Sequence, residues 1–353
     1  MVIIDKTTGA ISSLYDKELQ QELIDAENPY HIGQLVRETS EKRDIAPFIR
    51  TSVSNVSIGQ GDNGEVWRSL KISSDMDGFE KGTSGDPKGI DLEIRLYEQV
   101  KKVEFLYMAR KVINTNPEAL YVAFPFSLPG SRIVFETIGG ALSQGQQLPG
   151  SASDWNVAQN FVSVRGEKGQ IIVVSNEVPL WQFSDFNIGK FERNPKPGKP
   201  WLYSWVMNNY WVTNFRAYQE GAFSWSYQLT STADTTNTCA TRYAWGERNA
   251  FLTRTFPAGK NESGKPLLET LHIDGPANAT LINTRPSVNE KRTVLLHFRE
   301  TEGLPADVKL SSAIPGRPVK RMTEVNAPGT RSGQTVTSVS LRPYEVKFIE
   351  IEF

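Results

Sequence analysis

Residues Ile90-Asp-Leu-Glu-Ile-Arg-Leu-Tyr97 alternate apolar and polar side chains without a break. Successive side chains of a strand point to opposite faces. Ile90, Leu92, Ile94 and Leu96 therefore define a buried face, and Asp91, Glu93, Arg95 and Tyr97 a wet one. Strand-like runs recur at 51–58, 65–72, 103–112, 160–164, 170–175, 222–229 and 237–245, while no segment carries a 3.6-residue apolar stripe over three turns. Turn chemistry punctuates them, as in Asp5-Lys-Thr-Thr-Gly9 inside an N-terminal hairpin and Gln60-Gly-Asp-Asn-Gly64 between two strands. The stretch 18–23 reads as a short helical turn, 75–89 as an exposed loop and 139–155 as a long polar loop. Ala119-Leu-Tyr-Val-Ala-Phe-Pro-Phe-Ser-Leu128 reads as a strand that Pro125 assigns to an edge or a bulge. The chain is predicted to be all-β.

A composition shift at Phe256-Pro-Ala-Gly-Lys-Asn-Glu-Ser-Gly-Lys-Pro266 divides a large β-sandwich domain, 1–258, from a small C-terminal β-sandwich domain, 267–353, whose short strands come at sandwich-like spacing. The pattern is strand, turn, strand from the first residue, as expected of a piece cut from a longer chain. Met1-Val-Ile-Ile-Asp-Lys reaches charge after three apolar residues and does not read as a secretory leader.

Composition removes several function classes. Lys+Arg number 39 against Asp+Glu 40, a formal net charge of −1, so nothing draws a polyanion and nucleic acid is not expected as a partner. No apolar run approaches the ~18 residues of a membrane helix, and no membrane partner is expected. One cysteine, Cys239, allows no internal disulfide and no cysteine-rich zinc site, and it leaves the compartment open. The histidines are His31, His272 and His297. The pair His272-Ile-Asp274 falls short of the three ligands a zinc site needs. There is no G-x-S-x-G elbow and no phosphate loop. Of the acidic residues, Glu136, Asp154 and Asp185 have aromatic surroundings. Each is expected to be a turn or surface carboxylate.

What remains is binding. Trp205-Val-Met-Asn-Asn-Tyr-Trp-Val-Thr-Asn-Phe215 holds four aromatics and three asparagines in eleven positions. Aromatic faces cover the C–H face of a sugar, and the amides of Asn and Gln match neighbouring hydroxyls. The candidate carbohydrate-binding residues are Trp205, Asn208, Asn209, Tyr210, Trp211 and Asn214 from this segment, with Gln144, Gln147, Asp154 and Trp155 from the 136–155 loop. If the two stretches meet, they form an aromatic-floored, hydroxyl-reading cleft. The alternative for Trp205–Phe215 is a core strand whose amides satisfy buried backbone.

Several stretches, in order along nearly the whole chain, resemble the C-terminal β region of glycoside hydrolase family 38, the α-mannosidase family and its bacterial relatives. They are Gly9-Ala-Ile-Ser-Ser-Leu-Tyr-Asp16, Ala119-Leu-Tyr-Val-Ala-Phe-Pro-Phe126, Gln147-Leu-Pro-Gly-Ser151 with Asp154-Trp155, the 205–215 segment and Leu341-Arg-Pro-Tyr-Glu-Val346. The resemblance implies a large antiparallel supersandwich of the galactose-mutarotase type followed by a smaller sandwich. It implies that the aspartate nucleophile and a divalent metal, zinc, held by His and Asp, belong to a catalytic domain preceding this region. No stretch here matches that domain, so no catalytic or metal residue is carried over and no cofactor is expected in this chain. The implied partners are carbohydrate and that catalytic domain. Two other readings stand beside it: a mutarotase-like epimerase or polysaccharide lyase, for which His31, Tyr210 and Glu136 are the available acid–base types, and a non-catalytic carbohydrate-binding module. Asn55, Asn261 and Asn278 sit in N-x-S/T sequons.

Overall fold

A computed structural model describes residues 1–353 except 42–46, 82–88, 152, 212–215, 250–269 and 288–292. The alternating strand Ile90–Tyr97 pairs antiparallel with Trp67–Asp75 on one side and Val103–Lys111 on the other. Ile90, Leu92 and Ile94 are buried as the alternation requires. Leu96, near the strand's end, is exposed. These strands belong to a nine-stranded sheet in the order 140–143, 132–137, 162–165, 170–174, 221–232, 103–111, 90–97, 67–75, 54–63. A six-stranded sheet in the order 156–157, 180–183, 201–208, 118–125, 34–40, 48–52 faces it. The chain is an all-β antiparallel sandwich with a second, smaller sandwich after it.

The core of the large sandwich is built from the inner faces of both sheets. Leu120, Val122, Phe124, Phe183 and Leu202 meet Phe105, Tyr107, Val162, Val173 and Tyr227 in one apolar cluster. Phe124 lies edge-on to Phe105 at 6.0 Å and to Tyr227 at 5.0 Å, and Phe135 packs on Phe183 at 5.2 Å. Buried hydroxyls find partners across the gap: Tyr227 donates to Ser204 Oγ at 2.8 Å and Tyr107 to the Gly33 carbonyl at 2.6 Å. Gly33 stands at φ +78°, and a Cβ there would lie 2.6 Å from the Phe105 ring.

Strand Glu118–Pro125 corrects the edge expectation. It is an interior strand, between Trp201–Asn208 and Gln34–Ser40, and all eight residues are buried. Pro125 is its last residue and lies beyond the Gln34–Ser40 ladder, which ends at Ala123 paired with Gln34, so the missing N–H breaks no ladder bond there. The irregularity of this strand lies elsewhere, between Leu120 and Tyr121.

The N-terminal hairpin closes as expected: Asp5 Oδ1 accepts from Thr7 and Thr8 N–H at 2.8 Å. Residues 18–23 are not a helical turn. A tight turn leads into the short strand Gln21–Glu22, because Asp16 Oδ1 captures the N–H groups of Glu18 at 2.8 Å and Leu19 at 3.1 Å. The other Asp16 oxygen takes Lys101 at 2.7 Å and Ser231 at 2.5 Å. Burial raises the pKa of this carboxyl, and Lys101, Ser231 and the Leu19 N–H outweigh it, so the net shift is downward.

By contacts the chain divides into a first unit, Met1–Thr137 with Leu142–Thr235, and a second, Ile138–Ala141 with Thr236–Phe353. The stretch 237–245 is not a strand: Asn237–Arg248 is an α-helix of the second unit. Thr236 caps it, its Oγ1 accepting from Cys239 N–H at 3.1 Å. Its buried face is Asn237, Thr238, Ala240, Thr241 and Ala244, small and polar residues that leave no apolar stripe to read. The second unit also holds a five-stranded sheet (279–286, 293–300, 346–352, 321–325, 331–335) facing a three-stranded one (271–274, 306–312, 339–341) across a core including Phe298, Val308, Leu341 and Ile349.

One carboxylate organises the closing turn of that unit. Glu300, fully buried, accepts from Asn278 Nδ2 at 2.8 Å and from the N–H groups of Glu302 at 2.6 Å, Gly303 at 2.8 Å and Tyr344 at 2.7 Å. Tyr344, in the Leu341–Val346 motif, stands at φ +58°. The sequon residue Asn278 is buried, its amide held by Glu300 and by the Leu304 carbonyl at 3.3 Å.

Two outcomes test this account. Burial raises the Glu300 pKa, but the Tyr344 N–H, Asn278 and the other donors lower it by more, and the net direction is down. Its stabilising contribution is therefore complete above the unfolded carboxyl's pKa, about 4.3, and vanishes as pH falls through the folded value. Glu300→Gln is expected to cost about 1–3 kcal/mol at pH 7 and to flatten the acid limb of the thermal-unfolding profile. An unchanged acid limb would exclude this role. Thr236→Ala is expected to cost about 1 kcal/mol by chemical denaturation.

Candidate functional site

The six-stranded sheet is apolar on both faces. Leu120, Val122 and Phe124 point into the sandwich, so Ala119, Tyr121 and Ala123 point away from it. On that outer face Val36, Tyr121, Phe186, Tyr203, Trp205 and Tyr210 form a second cluster, with Tyr30, Phe48, Trp155 and Trp201 packed against it. The alanines on the middle strand leave room for the rings on either side. Tyr121 and Trp205 lie parallel, 6.2 Å apart, on paired strands.

The two stretches singled out by sequence meet on this layer. Trp155 reaches Trp205 at 5.6 Å and Trp211 at 5.7 Å, and Trp211 closes the group with Trp205 at 6.0 Å and Tyr210 at 6.2 Å. The four are in two tiers. Trp205 and Tyr210 are buried, whereas Trp155 is half-buried and Trp211 is 39 % exposed. Only the upper pair can offer a ring face to a ligand.

Beneath them lies a polar centre that sequence reasoning missed. Glu38 is fully buried on the outer face. Its Oε1 accepts from Tyr210 at 2.5 Å and Tyr121 at 3.3 Å, and its Oε2 from Arg50 Nε at 2.6 Å. Gln182 Nε2 donates to the Tyr121 oxygen at 3.0 Å, and the Arg50 guanidinium lies 4.2 Å over the Phe186 ring. Burial first, and then the neighbouring phenol and the Glu38 charge, push the Tyr210 hydroxyl far up; burial and Glu38 do the same for Tyr121. Both phenols are therefore fixed as donors. Glu38 follows Arg37 in the sequence, and nothing in that pair of charges marks which one enters the aromatic layer.

The other candidates fall elsewhere. Asn209 is a backbone bracket: its Oδ1 accepts from Glu118 N–H at 2.7 Å, and its Nδ2 donates to the carbonyls of Asn114 at 3.1 Å and Ala217 at 3.0 Å. Asn208 ends its strand opposite Ala119, and Asn214 lies outside the described residues. Gln144 and Gln147 do not join the tryptophans. They line a separate polar cavity of about 470 Å³ with Asn156, Ser184, Asn187 and Lys190. There Gln144 and Ser184 exchange hydrogen bonds at 3.1 Å, and Gln147 donates to Asn156 Oδ1 at 3.0 Å. Asp154 and Glu136 are buried, contrary to the surface expectation. Asp154 Oδ2 accepts from Gly189 N–H at 2.9 Å, while its Oδ1 is buried without a partner. Asp185 is exposed and paired with Lys190 at 2.5 Å.

His272 and Asp274 share the exposed strand Leu271–Asp274. His297 stacks on Phe348 at 4.5 Å, and burial and Arg299 hold its pKa down. The His31 N–H donates to Gln34 Oε1 at 2.9 Å. Among the described residues no three His, Cys, Asp or Glu side chains are grouped to hold a metal ion. No helix among them is long and apolar enough to cross a membrane.

No protein-family model matches the chain, and no curated protein matches it. Solved structures do. The chain superposes on an alpha-mannosidase from Enterococcus faecalis V583 with a TM-score of 0.72, covering 99 % of its own length and 41 % of that chain at 11 % identity. It superposes on a protein in glycosyl hydrolase family 38, also from Enterococcus faecalis, with a TM-score of 0.67, covering 99 % of its own length and 43 % of that chain at 11 % identity. The chain thus has the fold of less than half the length of each of these two proteins.

Proposed function

We propose that this chain is the C-terminal accessory β region of an α-mannosidase-type glycoside hydrolase, supporting a catalytic domain and lending carbohydrate contacts. The observation that carries the reading is the match of 99 % of the chain to part of two such proteins. Bond cleavage, with its aspartate nucleophile and divalent metal, belongs in this reading to the catalytic domain. What this chain's own residues do is positional. Trp211 and Trp155 present ring faces to the C–H face of a sugar and exclude water from it. The buried Trp205–Tyr210–Glu38 tier holds those rings at a fixed height. The Gln144–Gln147 cavity supplies amides and hydroxyls that exchange their present partners for sugar hydroxyls.

Three measurements test the proposal. Trp211→Ala is expected to weaken binding of mannose oligosaccharides by about tenfold, a loss of about 1.4 kcal/mol, with little change in melting temperature. Trp205→Ala is expected to destabilise the fold by about 3–5 kcal/mol. Wild-type affinity in Trp211→Ala would refute the platform. The 353-residue chain with added Zn²⁺ is expected to release no nitrophenol from p-nitrophenyl α-mannoside; a rate above the buffer blank in contaminant-free protein would refute the accessory role.

A further inference from the structure

Next to the Gln144–Gln147 cavity lies a second one of about 720 Å³, within the range of small-ligand sites, and the two share Gln144, Gln147, Asn194 and Lys196. Both form where two loops of the first unit meet. Three hydrogen bonds tie those loops together. The Gln144 amide bonds the Ser184 hydroxyl at 3.1 Å, Ser153 Oγ donates to the Glu192 carbonyl, and the Gly189 N–H donates to Asp154 Oδ2 at 2.9 Å. Gly145 stands at φ +92°, and a Cβ there would lie 3.2 Å from the Pro195 carbonyl oxygen. Glycine suits both that conformation and that close approach. The walls are thus held in place before a ligand arrives.

Three cations line the second cavity, Arg132, Arg193 and Lys196, and among the described residues no carboxylate does. All three are exposed, and none takes part in an ion pair or a side-chain hydrogen bond among the described residues. Other cations of this unit have carboxylate partners: Lys101 pairs with Asp16, Lys111 with Glu118 and Arg110 with Asp91. In the adjoining cavity Glu192 is the lining carboxylate, and Lys190 is matched by Asp185 at 2.5 Å. Cations therefore outnumber carboxylates across the pair of cavities, on a chain whose formal net charge is −1.

The amides add donors to that charge. Gln146 Oε1 accepts from the Ser143 N–H at 2.9 Å, and Gln147 Oε1 from the Gly145 N–H at 2.7 Å. Their oxygens are engaged by the loop's own backbone, and what they keep for a ligand is N–H. Gln147 Nε2 spends one hydrogen on Asn156 Oδ1 at 3.0 Å and retains the other. A sugar hydroxyl both donates and accepts, whereas guanidinium, ammonium and amide N–H groups together match an oxyanion, which only accepts. We propose that this cavity is an oxyanion subsite, taking the carboxylate, sulfate or phosphate substituent of an acidic glycan whose ring lies in the adjoining amide cavity. The proposal rests on the carbohydrate role given above and narrows it to acidic glycans.

Calorimetric titration of the whole chain with matched pairs tests it: trimannuronic acid against mannotriose, and mannose 6-sulfate and mannose 6-phosphate each against mannose. At least one acidic ligand is expected to bind about tenfold more tightly than its neutral counterpart, and which one does so identifies the oxyanion. That advantage is expected to shrink as salt rises. Arg132→Gln/Arg193→Gln is expected to abolish it; both side chains are exposed, so the melting temperature stays at the wild-type value. Lys6→Gln/Lys71→Gln removes the same charge outside both cavities and is expected to keep the advantage. The proposal is overturned if no acidic ligand outbinds its counterpart, if the arginine variant keeps the advantage, or if the lysine variant loses it equally. Mannotriose binding that persists in those cases leaves the carbohydrate role standing. Conversely, wild-type mannotriose affinity in Trp211→Ala removes the tryptophan platform and leaves an acidic advantage, with its loss in the arginine variant, as support for the subsite.

Discussion

The larger sandwich depends on one strand, Glu118–Pro125, being buried on both faces. Such a strand can satisfy its backbone only through two ladder neighbours, and here Trp201–Asn208 and Gln34–Ser40 supply them. Its inward residues, Leu120, Val122 and Phe124, touch the core shared with the nine-stranded sheet. Its outward residues, Ala119, Tyr121 and Ala123, form the floor of the aromatic layer. Any change that slipped its register by one residue would exchange Phe124 for Ala123 on the inside and disrupt both layers at once. The candidate sugar surface is thus coupled to the core through a single set of ladder bonds.

The same strand is tied at its start by charge. Glu118 takes Lys111 at 2.6 Å on one oxygen and Arg37 at 2.9 Å on the other, while its N–H bonds the Asn209 side chain. Asn209 thereby fixes where Trp201–Asn208 ends, and with it where Tyr210 and Trp211 begin. A buried amide bracket and a buried ion-pair group act at one end of the strand, and the aromatic stack acts along it. Leaving either partner of such a group unmatched is far more costly than never burying it, which is how polar residues deep in an apolar layer specify one arrangement.

Period-two alternation made the strand content legible, because a strand with one wet face writes its geometry into consecutive residues, as at Ile90–Tyr97. The meeting of Trp155 with Trp205 and Trp211 was legible only as composition: two aromatic, amide-rich stretches were visible, their proximity was not. Long-range pairing hid the rest. Pro125 suggested an edge or a bulge; the strand is irregular at Leu120–Tyr121 but interior, and a lone sequence does not show that the neighbouring ladder stops two residues before the proline. The helix Asn237–Arg248 was hidden because its buried face is threonine, asparagine and alanine, which leave no apolar period. Glu38 was hidden because a buried carboxylate looks in sequence like any surface acid. Gln144 and Gln147 shared a loop with Trp155 and a residue type suited to sugars, yet side chains a few positions apart on a turning loop need not share a side.

Four carboxylates hold key turns and layers here, and their surroundings decide what they can do. Asp16, Glu38, Glu118 and Glu300 each accept from at least two donors, and for Asp16 and Glu300 those donors outweigh burial and draw the pKa down. A general acid needs the opposite, a carboxyl whose proton is retained near neutral pH by burial without compensating donors. Carboxylates held in this way are anchors: they fix backbone turns and phenol orientations. Asp154 differs from these four: one oxygen holds the Gly189 N–H and the other is buried without a partner.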